Sequence, residues 1–214
     1  MHRKPLQARS RRTYDALLDA AGTLLGEVGV DSLSTNLICE RAGLTPPALY
    51  RYFDAKYAIL EALAERLVNS HNAMLMAWVE RYRDAGLDAI DTGIPELLRE
   101  LHVITRSAPG AIWLMRALHA MPRLAHIRIE SHHHFARVLA EVIHPYLLHV
   151  PFDLILRRTR LAVEIGYSVN EMLNEGEADP RHVFDDLAHV FTAMLDYPDY
   201  ERHRAPTNAR SEKD

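Results

Sequence analysis

"GLTPPALYRYFDAK", residues 43–56, packs a glycine, two adjacent prolines, three aromatics and two basic side chains into fourteen positions. Gly43 suits the left-handed residue that closes a helix. Thr45 suits the cap of the next one, and Pro46 and Pro47 fit its first turn, where a missing N–H costs nothing. One helix therefore stops and another starts within a few residues. Immediately upstream, Ser34 or Thr35 can cap a short helix that carries Leu37, Ile38 and Ala42 and stops at Gly43. Further upstream, "RRTYDALLDAAGTLLGEVG" sets Tyr14, Leu17, Leu18, Ala21, Leu24, Leu25 and Val28 three and four positions apart and ends at Gly29. That spacing is an amphipathic helix with a glycine stop. Three helices, the last two joined by a tight turn, are the pattern of a helix-turn-helix DNA reader.

Charge is distributed to match. The 214-residue chain carries a formal net charge of −4, which alone argues against a polyanionic partner. Residues 1–57 nevertheless hold eight Lys or Arg against six acids, and five of those bases fall within the first twelve positions, including Arg11 and Arg12. Such a run can lie along phosphates as a basic arm, or it can be a solvated, disordered terminus. The chain's one cysteine, Cys39, excludes an internal disulfide or a cysteine zinc cluster. The start lacks the apolar segment of a signal peptide and no apolar run reaches membrane-span length. The expectation is a cytoplasmic protein with no membrane partner.

Beyond residue 54 every segment reads as helix, so the fold class expected is all-α. Residues 54–85 contain neither Pro nor internal Gly before Gly86 and form one long connector helix. Pro95, Pro109, Pro122, Pro151 and Pro180 each precede an amphipathic stretch, predicting helices at 95–107, 110–119, 122–148, 152–174 and 180–196. The polar tail from Tyr200 reads as disordered. Domains are expected at 1–56 and 57–200, with a disordered tail at 201–214.

The stretch from Arg9 to about Leu67, through "LLDAAGTLLGEVG" and "LSTNLICERAGLTPPALYRYFDAKYAIL", resembles the N-terminal domain of the tetracycline-repressor (TetR) family. The glycine before the turn, the Leu-Tyr pair, the aromatic-Phe pair after it and the following lysine fall at that family's spacings. Cys39 replaces a usual alanine, and Pro46 and Ala48 replace polar base-reading residues of many members. The resemblance implies a homodimeric, ligand-responsive regulator that leaves a roughly palindromic operator in double-stranded DNA when a small molecule binds. Tyr50 and Lys56 would hold phosphates, and Thr35 and Asn36 would reach the backbone and a base.

Residue chemistry adds detail to that frame. Thr45, Pro46, Pro47 and Ala48 are small enough to bring the first turn of the reading helix against base edges and thymine methyls. Thr45 can cap, contact DNA, or both. Arg51 has the fork that matches guanine or phosphate. Tyr52 suits either a phosphate contact or packing, whereas Leu49 and Phe53 belong to the core. The last two long helices, through Leu161, Ile165, Met172, Val183, Leu187, Val190 and Met194, either complete a four-helix bundle across a two-fold axis or fill the chain's own core.

Candidate walls of an effector pocket are Trp78, His102, Trp113, Met115, His134, Phe135 and Tyr167, each of which core packing also explains. Their apolar bias suggests a hydrophobic or aromatic effector. "SHHHF" at 131–135 and the spacing of His126, Glu130 and His134 raise a metal site, but three consecutive histidines point three ways around a helix and no cysteine joins them. No metal and no cofactor is expected. Nor is an enzyme, because the chain has no GxSxG, phosphate-cradling glycine loop or metal-ligand motif. The alternatives are a helical protein-interaction module without sequence-specific DNA binding, and an activator or co-ligand-dependent regulator built from the same parts.

Overall fold

The computed structural model describes residues 2–5, 7–176 and 179–196. The expected tail at 201–214 lies outside them. Among the described residues there are nine α-helices and no strand: α1 (Ala8–Ser32), α2 (Thr35–Ala42), α3 (Pro46–Tyr50), α4 (Lys56–Tyr82), α5 (Leu87–Ser107), α6 (Ala111–Ala120), α7 (Pro122–Ile143), α8 (Phe152–Asn174) and α9 (Pro180–Leu195). The fold is all-α, with the helix-turn-helix at its N-terminal end.

Local chemistry accounts for most boundaries. Gly29 breaks α1 at φ 72°, after which one further turn runs to Ser32. Ser34 caps α2 by accepting a hydrogen bond from the Leu37 amide at 3.2 Å, and Gly43 closes that helix in the left-handed region. Pro122 and Pro180 occupy first turns as expected. Pro95 does not: α5 begins at Leu87 and carries Pro95 inside it, so the expected start at 95 is corrected. The helix expected at 122–148 also ends early, at Ile143, and a 3-10 turn over His144–Tyr146 takes Pro145 into its own first turn.

The N-terminal core is built from the apolar stripe of α1. Leu17, Leu18, Ala21 and Leu25 are buried together with Ile38 of α2, Leu49 of α3 and Phe53 beyond it. Each large side chain so buried contributes about 1.5–3 kcal/mol before entropy is charged against it. The same core continues through Ile59, Leu63 and Leu67 of α4 into Leu114 and Leu118 of α6. Apolar packing therefore runs across position 57 without a gap.

A close backbone approach fixes where α1 meets the rest. Gly110, at φ 72°, packs so tightly under α1 that a Cβ on it would collide with the Gly22 carbonyl oxygen. Only glycine meets both the conformation and the clearance. A second core gathers Trp78, Leu97, Phe135, Ala140 and Ile155 from α4, α5, α7 and α8. A third joins α5, α8 and α9 through Ile94, Leu98, Leu173, Phe184 and Leu187.

Candidate nucleic-acid interface and ligand cavity

Helix α3 is five residues long, and its one buried side chain is Leu49. The rest of its surface is therefore free to face outward: Thr45, Pro46, Pro47 and Tyr50 are exposed and Ala48 is half-buried. Thr45 stands at the N-cap position, but its side chain makes no capping hydrogen bond, which removes the capping role and leaves the hydroxyl available. Tyr50 is 50% exposed, and its hydroxyl lies 3.2 Å from Thr35 Oγ1 at the start of α2. That approach brings together two residues expected at the phosphates. Asn36 beside them is exposed. Arg51 is exposed too, with its guanidinium 5.8 Å from the Tyr52 ring centre.

Tyr52 and Lys56, both expected at the DNA, each have partners within the protein. Tyr52 is buried and packs edge-on against Tyr14 at 5.9 Å between ring centres, so packing takes this residue away from the interface. Lys56 donates from Nζ to the Val30 carbonyl at 3.0 Å, with Asp31 O at 3.5 Å. It thus ties the start of α4 to the end of α1, a structural role in addition to any phosphate contact. Arg12 is exposed, as is Arg11, whose Nε–H reaches the Pro5 carbonyl at 3.4 Å.

The basic arm is neither loose nor extended away from the protein. His2 pairs antiparallel with Phe53, and the Arg3 amide donates to the Tyr52 carbonyl at 2.9 Å. Tyr14 donates its hydroxyl to His2 Nδ1 at 3.1 Å, and His2 Nε2–H donates to Glu65 at 2.9 Å. Lys4 completes the clasp on Glu65 at 2.6 Å. Burial of Tyr14, with the Glu65 carboxylate nearby, pushes its phenol up to about 12. Burial opposes ionisation of Glu65, yet the hydrogen bonds from Lys4 and His2 hold its carboxyl below the usual range. The sequence showed the arm's charge but not this docking, because one histidine among thirteen carries no periodicity.

In the larger helical part a cavity of about 60 Å³ lies among α4, α5, α7, α8 and α9. Trp78, Phe135 and Tyr167 line it, together with Ile94, Leu97 and Phe191, and Asn170 and Thr159 supply polar groups. Trp78 is held by its indole N–H, which donates to the Gly93 carbonyl at 3.0 Å. Met115 lines a separate cavity of about 30 Å³. Trp113 is 41% exposed, lying beside Gly29 under the Arg116 guanidinium, and His134 is exposed on α7. Neither forms a cavity wall, because each projects from the outer face of its helix. The histidine that α7 buries is His132, one position and two positions away from the exposed His133 and His134.

A hydrogen-bonded chain leads from the cavity wall to α4. Thr105 Oγ1 donates to the Leu101 carbonyl at 2.9 Å, so its single proton is used. His71 of α4 must then donate from Nε2 to that oxygen, at 3.1 Å, and Asn170 Nδ2 donates to it at 3.2 Å. His102 Nδ1 meets Asn170 Oδ1 at 2.8 Å. On the other side of His71, Nδ1 faces the Tyr167 hydroxyl at 3.4 Å. His132 stacks on Tyr167 at 4.1 Å and donates to Glu164 at 3.0 Å. His102 thus belongs to the support behind the wall. Burial, joined by the neighbouring His132, pulls His71 down to about 4. Burial lowers His132 to about 4 as well, against the pull of Glu164. His71 missed notice in the sequence because it sits in no motif, and His132 because "SHHHF" does not say which of its three histidines faces inward.

Comparison with known proteins agrees with this arrangement. Residues 17–63 match the family described as "Bacterial regulatory proteins, tetR family". Over 54 residues the chain is 48% identical to the tetracycline repressor protein class A from transposon 1721 of Escherichia coli, covering 25% of each chain. The chain thus spans about a quarter of the length of such curated relatives. A TetR-family transcriptional regulator from Streptomyces coelicolor is similar across 87% of this chain and 97% of its own, at 26% identity and a TM-score of 0.62. Salmonella enterica GusR shares the fold across 90% of this chain and 99% of its own, at 20% identity and a TM-score of 0.63.

Proposed function

Because this chain belongs to the TetR family of transcriptional regulators, we propose that it is a homodimeric, cytoplasmic repressor released from a roughly palindromic operator when a small hydrophobic or aromatic molecule enters the cavity beside Trp78, Phe135 and Tyr167. The observation that carries the DNA-binding half is the outward surface of α3. A five-residue helix with Leu49 alone buried presents Thr45, Pro46, Pro47, Ala48 and Tyr50, with Arg51 next to them, from a rigid core. Short side chains at the helix start favour apolar contact with base edges, and Thr35, Asn36, Tyr50 and Arg51 supply backbone contacts. Salt-dependent binding to duplex DNA separates this reading from a protein-interaction module. On this reading residues 1–56 form the reading head, and 57–200 the effector and dimer part.

The cavity supports the effector half by its chemistry and by what stands behind it. Its wall is mainly aromatic and aliphatic, which suits an apolar ligand, with Asn170 able to meet one polar group. Tyr167 reaches His71 directly, and Asn170 reaches it through the Thr105 oxygen they share; His71 sits on α4, the helix that starts at Lys56 beside the reading head. A ligand that repositions either side chain therefore changes the hydrogen bonds that hold α4. Such a ligand shifts DNA affinity only through its preference for one α4 arrangement over the other.

Dimerisation is assigned to the outer faces of α8 and α9, where Leu161 and Val190 are exposed. Leu187 instead fills the chain's own core, and Met194 lines the cavity, so the apolar set expected at the dimer face divides between the two uses. A screen of apolar compounds for thermal stabilisation tests the proposal when each hit is then titrated into the protein–DNA complex. Hits that stabilise the protein and release the DNA support it. Hits that fill the cavity, as shown by abolished binding in Phe135→Ala, yet leave DNA affinity unchanged would refute the coupling.

A further inference from the structure

The arm's docking gives it a role that neither the motif nor the family match contains. His2 is the inward residue of the segment, held by Tyr14 from α1 and Glu65 from α4, with its ring near Phe53 at 6.4 Å between centres. Lys4 spends its charge on Glu65. Arg3, between them, has its backbone locked to the Tyr52 carbonyl and its side chain exposed. Among the described residues that side chain makes no hydrogen bond or ion pair. Its backbone partner, Tyr52, is next in sequence to Arg51 and two residues past Tyr50, the outward residues at the end of the reading helix.

We propose that residues 2–4 form a preset clasp that fixes Arg3 as a DNA-phosphate contact at the C-terminal end of α3, with His2 as its positioning residue. The proposal rests on the DNA-binding reading above and adds a contact and its support to it. A flexible basic arm loses conformational entropy when DNA orders it, whereas an arm already pinned at three points has met that cost on folding. Extended chain alternates its side chains, so burying His2 turns Arg3 outward. Finally, Lys4 and His2 satisfy the Glu65 carboxylate, which otherwise stands as an unmatched negative charge close to a polyanion.

The test is the salt dependence of binding to a mixed-sequence duplex long enough for two half-sites, measured with the full chain. Removing one protein–phosphate interaction should lower the slope of log affinity against log salt by about one. Arg3→Ala is expected to weaken binding roughly three- to ten-fold at low salt and to flatten the slope by about one per reading head. Arg3→Lys should keep the slope. His2→Ala should weaken binding with Arg3 still present, and the melting curve and circular dichroism of that protein establish that its fold survives. If His2→Ala does not fold, Glu65→Gln together with Lys4→Gln loosens the clasp from the other side and is read the same way. Wild-type affinity and slope in Arg3→Ala would overturn the phosphate role. Wild-type affinity in folded His2→Ala would overturn the positioning role. If the wild-type chain binds no duplex at all, the DNA-binding reading itself fails, an outcome separate from either.

Discussion

His71 Nε2 lies 3.1 Å from Thr105 Oγ1, and this buried pair joins α4 to α5 at the point where Asn170 of the cavity wall also arrives. Seven polar residues are buried among the described ones, and five of them, His71, His102, Thr105, His132 and Asn170, belong to this one constellation. Apolar side chains of the same volume would pack there with less desolvation cost. These buried polar groups link the cavity wall at Asn170 and Tyr167 to His71 of α4, which is the connection the proposed coupling uses.

Replacing Thr105 by Val keeps its shape and removes the shared oxygen. His71 and Asn170 each then lack a partner, so stability should fall by about 1–3 kcal/mol. Urea denaturation measures the drop, and hydrogen exchange should show faster opening near position 71 of α4 than in the wild type. Unchanged protection there would mean that the hydrogen bonds do not hold α4.

Acid should destabilise the fold in a defined window. His71 and His132 titrate near 6.5 when unfolded and at about 4 when folded. Between those values the unfolded chain binds more protons, so stability is complete above about pH 6.5 and falls as pH drops toward 4. Each group contributes a slope of about 1.4 kcal/mol per pH unit. Denaturation midpoints across that range check the sign, and His71→Gln should reduce the slope.

Gly110→Ala forces a side chain into a left-handed residue and against the Gly22 carbonyl. The expected cost is about 3 kcal/mol, with the packing between α1 and the start of α6 opened. A fall in melting temperature well beyond that of Gly176→Ala, where a Cβ meets nothing within 4 Å although the φ is also positive, separates the clash from the backbone term.

Lys56→Met removes the hydrogen bond to the Val30 carbonyl as well as a charge near the expected DNA surface. Stability should fall by about 1 kcal/mol and DNA affinity with it. A protein with weakened DNA affinity at wild-type stability would show that Lys56 serves the phosphates alone.

The helices were legible because their apolar residues recur with helical spacing, and the reading head was legible because its punctuation is dense: Gly43, Pro46, Pro47 and the aromatics after them sit within fourteen residues. Pro95 misled because prolines usually open helices, whereas here Gly93 lets the Tyr82 ring lie against the backbone just before it. A Cβ on Gly93 would stand 2.8 Å from Tyr82 Cζ, so the apparent helix breaker accompanies a close helix–helix approach. Trp113 and His134 misled for a different reason: bulk in a sequence does not say which side of a helix faces inward. His2 and His71 were invisible, and His132 was passed over in favour of His134, because their roles arise from residues 12 to 96 positions away.

Selection of genomic fragments by the purified protein, followed by titration of the best fragment with wild-type and Tyr50→Ala protein at two salt concentrations, tests the DNA-reading role of α3 most directly. Enrichment of a roughly palindromic site, weaker binding as salt rises, and disappearance of site preference when Tyr50 is removed are the expected results. Absence of any enriched fragment, with feeble binding even at low salt, would be incompatible with that role.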